Sequence, residues 1–197
     1  GLEYAHELRD FEGQHLGVIH RDISPHNLFV TYQGVVKILD FGIAKAADSL
    51  SDTETGMVKG KFGYIAPEQA HGGTVDRRAD LWSMGVVMWE MLAGRRLFRG
   101  GNTVETLTET LAARIPSLVE VDPTIPEPLA GIVAKALSRD PTLRYQTARE
   151  FKDEIESYLM ASNRHVSNSE VAAFMQKLFA DVIEPHRAIK KICLGTV

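Results

Sequence analysis

His20-Arg21-Asp22-Ile23-Ser24-Pro25-His26-Asn27, followed a short way on by Asp40-Phe41-Gly42, is the stretch on which the reading of this chain turns. It supplies a carboxylate at Asp22 that can orient a hydroxyl and an amide oxygen at Asn27 that can bind a hard cation. A second carboxylate, Asp40, suits a cation that carries anions of its own. Between these groups, Asn27 to Val30 and Val35 to Leu39 are apolar and rich in β-branched residues, which predicts two short strands joined around Gly34. Upstream, residues 1 to about 9 read as the end of an amphipathic helix with Leu2, Ala5 and Leu8 near one face. The polar run Arg9 to Gln14, with Gly13 and Gly17, is a loop leading into Val18-Ile19.

Downstream, helical patterns take over. Asp48 to Gly60 is rich in Ser, Thr, Asp and Gly without periodicity and reads as a mobile loop. Arg77 to Leu92 is apolar on nearly every face, which predicts a helix buried all round and stopped by Gly94. Leu129, Ile132, Val133, Ala136 and Leu137 form one helical stripe. Thr147 with Glu150 is a capping box ahead of Phe151, Ile155, Tyr158 and Leu159. After Ala161 comes a polar linker, then a second box, Ser167 with Glu170, before Val171, Phe174, Met175, Leu178 and Phe179. The predicted class is α+β, predominantly α, with a small β-hairpin carrying the polar site.

At 197 residues, 44% hydrophobic and 24% charged with a net charge of −4, the composition supports a well-filled core and points away from nucleic acid as a partner. The single cysteine, Cys193, excludes an internal disulfide framework and fits a reducing, cytoplasmic setting. No apolar run is long enough for a membrane span, since Glu90 interrupts the most apolar stretch, Leu81 to Ala93. The chain starts at Gly1, and we read it as part of a longer chain.

Residues 1 to about 160 resemble the large C-terminal lobe of a eukaryotic-type protein kinase, of the serine/threonine kind found in bacteria. The resemblance rests on ordered landmarks: His20-Arg21-Asp22 with Asn27, Asp40-Phe41-Gly42, Ala66-Pro67-Glu68, Asp80-Leu81-Trp82-Ser83-Met84-Gly85, and Arg144 after Asp140-Pro141. It implies ATP and Mg²⁺ as cofactors and a protein Ser/Thr hydroxyl as acceptor. Asp22 would align that hydroxyl, Asn27 and Asp40 would hold Mg²⁺, and Phe29 would contact the nucleotide. Phe41 would pack on His20, a structural ring. Arg21 would meet a phosphate on the loop, with Thr53 and Thr55 as the first phosphorylation candidates and Ser49 and Ser51 behind them. Glu68 and Arg144 would form a structural ion pair, and Asp80 would accept backbone N–H groups around His20 and Arg21. Residues 161–197 would be a helical extension.

Two positions depart from the family pattern. Ser24 stands where the family usually has a lysine, and Lys61 where it usually has a threonine after the glycine matching Gly60. We expect an exchange in which Lys61 returns the missing charge next to Asp22 and Ser24, the alternative being a Lys61 that points to solvent. Pro25 favours the serine/threonine branch and Lys61-Phe62 resembles the tyrosine branch, so the hydroxyl type stays open. No G-x-G-x-x-G precedes Asp22, nor a strand lysine with its glutamate partner. The N-terminal lobe is therefore missing from this sequence, and we expect the isolated chain to be inactive. A catalytically silent docking module is the alternative reading. A small-molecule phosphotransferase is disfavoured by Arg21 and by Ala66-Pro67-Glu68.

Overall fold

The computed structural model describes residues 1–41 and 58–183. Gly42, Thr53, Thr55, Ser49, Ser51, Cys193 and most of the Asp48-to-Gly60 segment lie outside the described residues.

Helix α3 (Arg78–Ala93) is the axis of the fold. Its sequence has no proline and one glycine, and it ends where Gly94 takes φ 65° and donates to the Glu90 carbonyl. Leu81, Trp82, Val86 and Trp89 are at most 1% exposed, each worth about 2 kcal/mol of burial. Met91, near the C-terminal end, is 77% exposed. Burial all round therefore holds for the first turns only, and the last turn runs out to solvent. Gly85 allows a close approach: a Cβ there would lie 3.0 Å from Ala136 Cβ and 3.1 Å from Leu137. These residues end α6 (Glu127–Ala136), whose apolar stripe buries Ile132, Val133 and Ala136 against α3.

Six further α-helices lie among the described residues. They are α1 (Leu2–His6), α2 (Pro67–Ala70), α4 (Thr103–Ala112), α5 (Leu118–Val121), α7 (Ala148–Ala161) and α8 (Asn168–Leu178). Leu2, Ile23, Leu81, Tyr145 and Phe151 share one cluster, which ties the start of the chain to α7. Thr147 caps α7 by accepting from Glu150 N at 3.1 Å, but Glu150 reaches back to Gln146 N rather than to Thr147. The reciprocal box foreseen at Thr147 is thus half formed. At Ser167 and Glu170 it is complete.

The hairpin is the one sheet among the described residues. β1 (Leu28–Val30) pairs antiparallel with β2 (Val36–Ile38), in the register Leu28 with Ile38 and Val30 with Val36. Gly34 N donates to Thr31 O at 2.9 Å, Thr31 N donates to Val35 O at 2.9 Å, and Gly34 takes φ +77°. That is a tight turn closed by one left-handed residue, a conformation glycine adopts without steric cost. The architecture is α+β and mostly helical, with the hairpin at one end of the helical body.

Candidate active site

The loop from Val18 to Asn27 has no regular structure up to Ser24, so its backbone needs partners from elsewhere. Asp80, fully buried in the first turn of α3, supplies them. Its Oδ2 accepts from His20 N and its Oδ1 from Arg21 N, each at 2.8 Å. His6 Nε2 lies 2.8 Å from the same Oδ2. Gln69, on α2, donates to the Arg21 carbonyl at 3.1 Å. Held on both sides, Arg21 adopts φ 64°, a left-handed conformation that costs a non-glycine residue about 1 kcal/mol or more. The kink turns the next residue, Asp22, away from the path of Val18 to His20.

Asp22 is anchored from two directions. Asn27, in the 3₁₀ turn Pro25–Asn27, donates through Nδ2 to the Asp22 carbonyl at 2.7 Å and to its Oδ2 at 3.1 Å. Lys61, in the 3₁₀ segment Val58–Tyr64, donates through Nζ to the same Oδ2 at 2.8 Å. The two side chains are 33% and 12% exposed, so this ion pair is partly withdrawn from solvent. Ser24 is buried and its hydroxyl has no hydrogen-bond partner. The structure therefore brings Lys61 to Asp22 rather than into solvent. Ser24 lies two residues on, contributing backbone to the turn through its carbonyl, which accepts from Asn27 N at 3.0 Å.

The hairpin brings the second carboxylate alongside. Leu39 N donates to Asn27 O at 2.9 Å, extending the ladder by one step beyond Leu28 and Ile38. Asp40 follows at φ 54° and is exposed. His20 fixes this end: its Nε2 lies 2.9 Å from Leu39 O, and Phe41 packs on its ring at 4.6 Å between centroids. Phe29 faces outward on β1, 56% exposed.

Glu68 and Arg144 lie apart from these groups. Arg144 forms a two-pronged bond to Glu68 at 2.7 and 2.8 Å, donates to the carbonyls of Arg78, Ser138 and Arg139, and lies 4.9 Å from the Trp82 ring. Tyr64 OH donates to Glu90 at 2.6 Å with Arg96 alongside. Burial and Glu90 together push its ionisation far above the ordinary tyrosine range.

His6 and Gln69 escaped the reading of sequence. His6 carried a weak signal, a titratable side chain four residues after Leu2 on the apolar face of a short helix. Gln69 carried none.

A donor set of one amide oxygen and carboxylates, with no cluster of three His, Cys, Asp or Glu among the described residues, suits a hard cation that keeps most of its ligands from phosphate and water. Asp22, Asn27 and Asp40 are mounted on a kinked loop and an adjoining hairpin, in a mostly helical lobe of the protein-kinase kind. The chain belongs to the protein kinase family: the model described as protein kinase domain matches residues 1–155. The relatives it resembles are bacterial protein kinases, named for serine/threonine or for tyrosine. It is 46% identical over 184 residues to the tyrosine-protein kinase MasK of Myxococcus xanthus, covering 92% of this chain and 28% of that protein. It is 38% identical over 140 residues to the serine/threonine-protein kinase PrkC of Bacillus subtilis, covering 71% and 22%. To a probable serine/threonine-protein kinase PknB of Bifidobacterium longum it is 41% identical over 160 residues, covering 80% and 22%. The chain spans about a quarter of the length of these curated relatives.

Proposed function

We propose that this chain is the catalytic lobe of a kinase that transfers the γ-phosphate of ATP to a protein serine or threonine hydroxyl. Asp22 accepts the hydrogen bond of that hydroxyl and aligns it for in-line attack. Asn27 and Asp40 would hold Mg²⁺, and Phe29, exposed on β1, would meet the nucleotide. Bound ATP–Mg²⁺ supplies the phosphoryl group and the charge that offsets its oxygens. Lys61 takes the part of the lysine that Ser24 replaces. Its ammonium neutralises Asp22 at rest and reaches the transferring phosphoryl group from the loop on the far side.

The observation that carries this reading is the 2.8 Å contact of Lys61 with Asp22 Oδ2, the oxygen Asn27 also holds. The test is a charge relocation in an active full-length form. Lys61→Thr should cut turnover by about a hundredfold, and Ser24→Lys added to it should recover most of the loss. An unchanged rate in Lys61→Ala, or no recovery in the double variant, counts against the exchange.

The working enzyme needs a second half that covers the nucleotide, so the 197-residue chain by itself should transfer phosphate at background rate. Strong ATP-dependent phosphorylation by that chain, abolished by Asp22→Asn, would refute this. A second reading concerns the acceptor alone. Similarity to a protein named a tyrosine kinase favours a phenolic hydroxyl, and phosphoamino-acid analysis of the product separates the two. Among the described residues no helix is long and apolar enough to cross a membrane. We assign the reaction to the cytoplasm, where ATP is supplied.

A further inference from the structure

Helix α8 lies beyond the stretch matched by the family model, yet it lies against the turn of the hairpin. A Cβ on Gly34 would overlap the Asn168 carbonyl oxygen and stand 2.7 Å from Ala172 N. Gln176 Nε2 donates to Tyr32 O at 3.3 Å, and Phe179 meets the Tyr32 ring edge-on at 6.1 Å. Asn168, Ala172, Gln176 and Phe179 recur every three to four residues, so they form one stripe of the helix. The stripe is narrow where Gly34 enters and aromatic where Tyr32 ends. Of the apolar stripe that periodicity predicts from Val171 to Phe179, Phe179 makes this contact and Val171 and Met175 are partly buried, whereas Phe174 and Leu178 are 63% and 60% exposed. Three kinds of contact thus converge on two positions of the turn, Tyr32 and Gly34, and Gly34 is buried in an otherwise exposed turn.

The turn is two residues from the strands that carry the site. The ladder runs from this turn to the Leu39–Asn27 bond, one residue before Asp40. The similarity to MasK covers 92% of this chain and so continues past residue 155 into the region of α8.

We propose that α8 is a positioning element of the nucleotide site: a clasp in the same chain that holds the β1–β2 turn and, through it, the spacing of Asn27 and Asp40. The working catalytic unit then runs through Phe179, and residues 161–183 are not an independent appendage. This rests on the kinase reading of the site given above.

Gly34→Asn separates the clasp from backbone strain. Asparagine tolerates a left-handed φ, but its Cβ still collides with Asn168. In the active full-length kinase, Gly34→Asn should raise KM for ATP–Mg²⁺ about tenfold while KM for the protein substrate stays unchanged. It should also speed amide exchange at Thr31 to Val35. In a kinase from which Asn168–Leu178 has been excised, KM for ATP–Mg²⁺ should already be raised, and Gly34→Asn should add nothing. Phe174→Ala, on the outward face, should leave KM unchanged. An unaltered KM for ATP–Mg²⁺ in Gly34→Asn, or an equal rise with and without α8, overturns the proposal. A wild-type control that fails to use ATP strikes the kinase reading instead, and is seen before any variant is compared.

Discussion

Arg144 and Phe29 stand in the same lobe and are treated in opposite ways. Around Arg144 every hydrogen-bonding group is met and enclosed: its side chain is fully buried against the Trp82 ring, and Glu68 and three carbonyls occupy its donors. Asp80 is served in the same fashion by His6, His20 and Arg21. Across the hairpin the arrangement is reversed, with apolar Phe29, Val36 and Leu39 left 56%, 59% and 41% open. The helical body holds the Asp22 loop from beneath through buried polar contacts. The hairpin presents an open apolar face among the described residues, and such a face suits a contact. The shape of the Asp22 loop is thus set from within the lobe, whereas the hairpin face is left open.

The largest test of that contrast is Arg144→Ala. Removing one partner of a buried, two-pronged ion pair leaves Glu68 and three carbonyls unpaired and should cost about 3–5 kcal/mol in urea unfolding. A loss below about 1 kcal/mol would put the body on a par with an ordinary surface. Next comes Asp80→Ala, which strands the His20 and Arg21 amides and should cost about 3 kcal/mol. It should also release the kink at Arg21, visible as fast amide exchange at His20 and Arg21. Acid gives a smaller effect. Hydrogen bonds from Arg78 hold the Asp76 carboxyl below its ordinary value of 3.8, despite burial that works against them. Its ionised form is the one folding favours, so the contribution is complete above the unfolded value and fades as pH falls through the depressed one. The stability gap between wild type and Asp76→Asn should therefore close below about pH 4. The smallest effect belongs to the open face. Val36→Thr should change stability by no more than about 0.5 kcal/mol while reducing self-association in light scattering. A loss of 2 kcal/mol or so there would mean that this face is already covered.

The sequence displayed most of this contrast where chemistry and spacing coincide. The buried α3, its stop at Gly94, the hairpin around Gly34 and the landmark residues are all readable because local pattern and tertiary role agree. What stayed hidden depends on distance through space. Gln69 serves a carbonyl of the loop and His6 the Asp80 carboxylate that holds it, partners that no periodicity can couple to them. Of the stripe that α8 lays on the hairpin turn, only Phe179 is a large apolar residue, so a search for apolar spacing finds that end and passes over Asn168, Ala172 and Gln176. The half-formed box at Thr147 failed for a nearer reason, since Gln146 N competes for the same glutamate.

Asp80 binds a loop sixty positions earlier in the chain. During synthesis the segment around Asp22 therefore leaves the ribosome well before the carboxylate that shapes it. Until α3 has emerged and docked, the two loop amides have only water for partners, and Arg21 has no reason to hold its left-handed turn. Shaping of the Asp22 loop is thus tied to closure of a long-range contact rather than to local propensity. A nascent chain stalled short of α3 carries the signature residues but not their shape.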